Sequence, residues 1–283
     1  MQDRLVWLLQ HFNLRADVFQ AGPLCHSASY HAQDGLGYIH FLRSGKLRLS
    51  TPGKKPVKLD QPSMLFYLAP ATHHFRPIDK EVDLVCATFQ FGSGIRNPLS
   101  TALDEAVILP LQQMPSLHTT LDLLFREATE QHCGRQVVLD RLIEVVIIEV
   151  LRDLMDQNRL NSGLLAALAE KRLAKAINAI HKEPARQWTL QGLAAVAGMS
   201  RARFATRFHE IVGTTPGSYL TEWRIAIAQS LLSKGKAVQL VADEVGYGSA
   251  SALSRAFTAQ LGITPSSWKK QALRKPVNQG RNE

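Results

Sequence analysis

Hydrophobic positions along this chain follow two periods, and the change from one to the other falls near residue 117. Between about residues 20 and 92 the apolar residues come in short runs, "GYIHFLRSGKLRLS", "TPGKKPVKLDQPSMLFYLAP" and "VDLVCATFQFGSG", with proline or glycine every ten or so positions. The last run alternates. Val85, Ala87, Phe89 and Phe91 share one face, and Leu84, Cys86, Thr88 and Gln90 share the other. Runs of period two cut by turn residues predict a β-sandwich or a small barrel.

From about Leu117 the repeat lengthens to that of a helix. "VVLDRLIEVVIIEVLRDLMDQ", residues 137–157, is apolar on more than one stripe: Leu139, Leu142, Ile143, Val146, Val150 and Leu154, with Val145, Ile148 and Leu151 beside them. One stripe can pack on the barrel, and a helical dimer contact is expected to cover the other. "NRLNSG", 158–163, has the composition of a hinge. Beyond it, "RLAKAINAIHKEP" predicts a helix that buries Leu173, Ala176, Ile177 and Ile180 and stops before Pro184. Thr189 and Ser200 are placed as N-caps, and Gly213 closes a helix through its tolerance of positive φ. Thr215-Pro216 and Thr264-Pro265 each read as a cap followed by proline at the first helical position.

These C-terminal helices occur twice. "MSRARFATRFHEIVGTTPGSY", 199–219, returns as "GSASALSRAFTAQLGITPSSW", 248–268, at a constant offset of 49 residues from Ser200 onward. The register pairs Phe208 with Phe257, Gly213 with Gly262 and Pro216 with Pro265. A short helix, a turn with glycine and a second helix form the helix-turn-helix, whose second helix enters the major groove. With Phe204, Phe208 and Ile211 facing inward, the first copy presents Ala202, Thr206 and His209, flanked by Arg203 and Ala205. The second, centred on Leu253 and Phe257, presents Ser251, Arg255 and Thr258, flanked by Ser254. Small residues permit close backbone approach, and Arg255 can fork onto a guanine edge. The helix between the units, from Pro216 to about Ser233, spans about 27 Å at about 1.5 Å per residue. That approaches the roughly 34 Å between successive major-groove faces.

Charge supports this division. Of the net +9, residues 163–283 carry 17 Lys/Arg against 7 Asp/Glu, while residues 1–162 carry 16 against 17. The basic excess sits where a polyanion would bind. Three widely spaced cysteines make no disulfide framework and fit a reducing cytoplasm. The N-terminus lacks the pattern of a signal peptide, and no run is long enough to span a membrane. No hydrolytic triad, phosphate loop or paired-carboxylate arrangement appears, so an enzyme is not expected.

Residues from about 168 to 273 resemble the C-terminal domain of AraC-type transcription regulators, on "LAAVAGMSRARFATRFHEIVGTTP" and "VADEVGYGSASALSRAFTAQLGITPSSW". The resemblance implies double-stranded DNA as partner, with base-facing positions at Ala202, Ala205 and Thr206, then at Ala250, Ser251, Ser254 and Arg255. Thr206 stands where many members carry a long basic residue, so phosphate contacts from Arg201, Arg203 or Arg207 are expected to dominate in the first unit.

The first half is similar to the cupin-type sensor such regulators carry, on "YLAPATHHF". A catalytic cupin would need a His-x-His pair followed by Glu, and "HFLRSGKL" after His40 offers none. One subgroup shows an order of Cys, His, His, Cys that Cys25, His40, His73 and Cys86 match, which implies a possible zinc ion, structural or redox-sensing. His73, two before Phe75, keeps the family's phase better than His74.

The resulting expectation is an α+β chain of two domains. A cupin-like β-barrel with a helical dimerisation segment occupies 1–160, followed by a linker at 161–166, an all-α double helix-turn-helix at 167–273 and a polar tail at 274–283. Its function is that of a cytoplasmic, homodimeric transcription regulator sensing a small molecule, metal or oxidant, with RNA polymerase as partner if it activates. The rivals are a cupin metalloenzyme fused to a DNA-targeting module and a protein-interaction adaptor.

Overall fold

The computed structural model describes residues 3–92, 106–157, 160 and 162–274, and the chain forms two compact units. Leu14–Ala169 make one, and Met1–Asn13 join Glu170–Glu283 in the other. Half of the expected hinge at 158–163 and all of the expected tail beyond residue 274 fall outside the described residues.

The first unit is built on β1 (Leu14–Pro23), β2 (Ala28–Tyr30), β3 (Gly37–Ser44), β4 (Leu47–Ser50), β5 (Val57–Leu59), β6 (Ser63–Tyr67), β7 (His73–Pro77), β8 (Asp83–Phe91) and β9 (Val107–Pro110). One antiparallel sheet runs β1-β8-β3-β6-β9 and the other β2-β7-β4-β5. Between them Tyr38, Leu42, Leu84 and Cys86 from the larger sheet pack with Leu47, Leu49, Leu59 and Phe75 from the smaller. The alternation read in β8 holds, but both faces are buried: Val85, Ala87 and Phe89 are as covered as Leu84 and Cys86. Helices supply the second cover. Phe41, pointing out of β3, meets Phe125 of α2 (His118–Thr129) edge-on at 6.0 Å, and the Arg43 guanidinium lies 5.1 Å over the same ring.

α3 (Arg135–Asp156) closes the open edge of β1 with side chains one turn apart. Gln136 Nε2 donates to the Val18 carbonyl at 2.8 Å, while Asp140 and Glu144 accept from the Val18 and Ala16 amides at 2.9 and 3.4 Å. Unpaired backbone groups that could recruit a foreign strand are thereby satisfied. Along the same helix Val137, Val138 and Val145 stay exposed. α4 (Gly163–Ala169) packs on α3, so most of the expected linker is helical instead, because Leu164, Leu165 and Leu168 are buried there.

In the second unit α1 (Val6–His11) packs on α5 (Lys171–Lys182). The rings of His11 and Phe12 meet Trp223 at 5.6 and 5.3 Å. The N-terminal segment thus departs from the expected 1–160 domain, since an aromatic surface in the C-terminal unit takes its apolar end.

Two helix-turn-helix units follow: α6 (Leu190–Ala197) with α7 (Arg201–Val212), and α9 (Val238–Glu244) with α10 (Ala250–Leu261). The 18-residue α8 (Pro216–Ser233) joins them, and α11 (Pro265–Arg274) follows. The caps read from sequence form: Thr189, Ser200, Thr215 and Thr264 each accept from the amide three residues on, and Ser249, the repeat partner of Ser200, does the same. Gly213 ends α7 at φ 82°. No described helix is long and apolar enough to cross a membrane.

One side chain ties the parts together. Arg224, 8% exposed in the middle of α8, donates from Nε to the Pro184 carbonyl at 2.7 Å and from Nη2 to the Arg186 carbonyl at 2.9 Å. Its guanidinium also lies 5.6 Å over the ring of Tyr247, in the turn of the second unit. Gly246 beside that ring has φ 84°, and a Cβ there would sit 2.5 Å from Ala185 Cα, so only glycine lets the turn reach the loop. Gln187 Nε2 closes the contact on the Gly246 carbonyl at 3.1 Å. Replacing Arg224 by Met removes both hydrogen bonds and strands the Pro184 carbonyl, while the Arg186 carbonyl keeps the Trp188 amide at 2.9 Å, and is expected to cost about 1.5–3 kcal/mol of stability. Tryptophan fluorescence follows this unit alone in urea, because Trp7, Trp188, Trp223 and Trp268 all belong to it. An unchanged midpoint would contradict the clamp.

Candidate DNA interface and barrel interior

α7 and α10 each bury one stripe and expose another. Phe204, Phe208, Leu253 and Phe257 are fully buried. On the opposite side of α7, Arg201, Ala202, Arg203, Thr206 and Arg207 are exposed and Ala205 is half-buried. On α10, Ser251 and Arg255 are exposed, with Ala250 and Ser254 half-buried. The cationic side chains differ in readiness. Arg207 is committed to Glu170 at 3.0 Å and to Glu210 at 3.5 Å, whereas Arg255 has no ion pair among the described residues. An anion at α7 would therefore compete with carboxylates for Arg207, while one at α10 would find Arg255 ready.

The structure adds two cations that the sequence pattern did not single out. Lys171 and Arg172, in the first turn of α5, line a cleft of about 390 Å³ with Arg203 and Arg207. Four cations face one carboxylate there, that of Glu170. Proximity to α7 was not legible because 31 residues separate Arg172 from Arg203.

In the barrel, His40 and His73 meet although 33 residues separate them. Their Nε2 atoms lie 2.8 Å apart, and both residues are fully buried. His73 Nδ1 lies 3.0 Å from the Ala71 carbonyl, which can only accept, so Nδ1 carries the proton and Nε2 the lone pair. His40 then donates from Nε2. Its Nδ1 is buried without a partner among the described residues. Tyr67 and Tyr30 stack on either side of His73 at 4.2 and 4.9 Å, and Tyr38 stacks on His40 at 5.8 Å. Burial pushes both imidazoles down, His40 well below 6.5 and His73 to about 4. His74, the next residue, turns out to Ser29 Oγ at 2.9 Å.

Cys86 pairs in register with His40 and is buried, but its Sγ lies 3.9 Å from the Tyr30 hydroxyl, and burial pushes the thiol up to about 12. Cys25 is exposed. Among the described residues no group of three or more His, Cys, Asp or Glu side chains converges to hold a metal ion. The four expected ligands are thus divided: the two imidazoles meet, and the two thiols do not join them.

A double helix-turn-helix carried with a two-sheet barrel defines the class of DNA-binding proteins with an attached cupin-like domain. The sequence matches the family described as Cupin over residues 3–156 and the Helix-turn-helix domain over residues 193–271. The chain belongs to the AraC-type regulators, in which a cupin domain precedes that DNA-binding domain. A protein named as an AraC-like transcription regulator of Streptomyces lividans is 34% identical over 194 residues, which are 67% of this chain and 64% of that one. The chain therefore matches just under two thirds of that relative's length. RclR of Escherichia coli, named as an RCS-specific HTH-type transcriptional activator, is 26% identical over 82% of this chain and 84% of its own. Such relatives are named as transcription regulators and not as enzymes. Among solved structures, ToxT of Vibrio cholerae O395 aligns over 94% of this chain and 100% of its own, at 12% identity and a TM-score of 0.42. The DNA-binding domain of AdpA in complex with a target DNA covers 36% of this chain and 93% of that chain, at 32% identity and a TM-score of 0.35.

The lowered imidazoles carry a pH consequence. Below 6.5 the unfolded chain protonates His73, while the folded barrel keeps it neutral until about 4. Stability present above 6.5 is therefore lost as the pH falls toward 4, because the unfolded state binds more protons across that window. Circular dichroism of the strands should show the barrel's melting temperature falling over this interval. His73→Phe should flatten the fall, and equal slopes in both proteins would refute the assignment.

Proposed function

We propose that this chain is a sequence-specific transcription regulator that reads DNA through two unequal helix-turn-helix units and carries its sensor in the barrel. The observation that carries this reading is the pair of exposed faces on buried, matched scaffolds, in a half of the chain with 17 Lys/Arg against 7 Asp/Glu. In the first unit Ala202, Ala205 and Thr206 approach the bases closely, while Arg201, Arg203 and Arg207 hold phosphates. In the second, Ala250, Ser251 and Ser254 line the groove and Arg255 forks onto a guanine. Such contacts divide into positioning and reading. The rival adaptor reading has no use for this division.

Two partners follow. The exposed Val137, Val138 and Val145 on α3 favour a homodimer formed through that helix, and a regulator that activates would engage RNA polymerase. Its place is the cytoplasm. The effector is a small molecule, metal or oxidant acting on the barrel. The tautomer imposed on His73 favours a second reading of that sensor, with zinc on His40 and His73, an ion that would have to draw Cys25 and Cys86 from the separate positions they hold here to complete its ligands.

Arg255→Ala tests the reading head. It should lose about 1–3 kcal/mol of discrimination at one base pair, measured as the affinity ratio between matched and mismatched sites, while the salt slope for DNA stays steep. An equal loss on every sequence would assign Arg255 to phosphate. Metal analysis of purified protein tests the zinc reading: one zinc per chain, lost in His40→Ala, supports it, and no zinc overturns it.

A further inference from the structure

The cleft between α5 and α7 holds a one-sided charge. Lys171 and Arg172 line it from α5, Arg203 and Arg207 from α7, while Glu170 supplies a carboxylate and Met199 an uncharged side chain. All four cations are exposed, and Lys171, Arg172 and Arg203 have no ion pair among the described residues. Like charges gathered in one cleft repel, so the arrangement favours an anion that they can share. Only Arg207 is engaged, by Glu170 at 3.0 Å and by Glu210 at 3.5 Å. Glu170 stands at the N-cap of α5, yet its side chain makes no capping bond, so the first turn beside Lys171 and Arg172 has no side-chain acceptor there.

Position selects the anion. Arg203 and Arg207, one turn apart, share a flank of α7 beside the exposed face of Ala202 and Thr206. A major groove is about 12 Å wide, and a helix with its side chains is about 10–12 Å across. The flanks of an inserted helix therefore meet the sugar-phosphate rims. A cleft of about 390 Å³ on one such flank has room for a phosphodiester together with its water. The carboxylate already there is a weak competitor, because an exposed pair such as that of Glu170 and Arg207 contributes little.

We propose that the first turn of α5 and the flank of α7 form one clamp on a single DNA backbone phosphate, which displaces the Glu170 carboxylate from Arg207. Lys171 and Arg172 reach the phosphate from one side and Arg203 and Arg207 from the other. This rests on the reading of α7 as a helix in the groove, and extends the interface to residues outside both helix-turn-helix units. Glu170 acts as a stand-in for the phosphate: it keeps Arg207 in place in the free protein and lowers DNA affinity by the work of its own displacement.

Fluorescence anisotropy of the full chain on a DNA site selected for binding tests the clamp, with circular dichroism confirming the fold of each variant. A Lys171→Met, Arg172→Met double variant should bind about tenfold more weakly, by the same factor on matched and mismatched sites, with a log–log salt slope less steep by about 1. Replacing the phosphates of the site one at a time by neutral methylphosphonates locates the contact: at one linkage the variant's loss should vanish, because the wild-type chain has lost the same partner. Glu170→Gln should tighten binding about threefold, and the gain should be absent in an Arg207→Met background. Affinity unchanged in the double variant, a loss that persists at every neutral linkage, no gain in Glu170→Gln, or a gain that survives Arg207→Met would each overturn the proposal. The two levels separate on the same samples. A wild-type chain that binds no DNA refutes the regulator, and DNA binding untouched by these changes refutes the clamp alone.

Discussion

The DNA-binding unit depends on one buried guanidinium. Arg224 sits at the middle of α8, the rod between the two helix-turn-helix units, and holds the loop of Pro184 and Arg186 by two hydrogen bonds while lying over Tyr247. Without that contact α8 would still be a helix, but the turn of the second unit would be held to the loop before the first only by the Gln187–Gly246 hydrogen bond and the packing of Gly246 on Ala185. A charge so buried is costly unless its donors are used, and here the fork geometry of arginine uses them on two backbone carbonyls of the loop between α5 and α6. Gly246 is the counterpart of the arginine, since any side chain there would strike Ala185. Rigidity of this kind turns two reading heads into one ruler.

The barrel rests on the opposite economy. Its interior holds two imidazoles kept neutral by burial, with three tyrosine rings stacked on them and a thiol pushed away from ionisation. Among the described residues His40 Nδ1 is buried there without a hydrogen-bond partner. A buried acceptor left without a partner costs stability, so the pair is held by the packing around it. Imidazoles kept neutral by burial make the fold sensitive to acid.

Much of this was legible in the sequence. The constant offset of the repeat, the Thr-Pro and Ser caps and the period of α7 and α10 are local signals, and local signals predict local structure. What escaped depends on contacts between distant segments. The apolar residues of α1 announce burial but not against Trp223, more than 200 positions away. The even alternation of β8 announces two faces but not that α2 and α3 cover the outer one. Lys171 and Arg172 look like any charged first turn until α7 is placed beside them. The resemblance named four zinc ligands, and the fold brings together only His40 and His73, since Cys25 lies exposed after β1 and Cys86 faces Tyr30.

The central claim is that one chain presents two recognition helices at a fixed spacing set by α8. Hydroxyl-radical footprinting of the full chain on a DNA site selected for binding tests it most directly. The account predicts two protected patches on one face of the duplex, centred about one helical turn or roughly 10 base pairs apart, gained together as protein is added. A single patch, or two that fill at different concentrations with a variable gap, would contradict it.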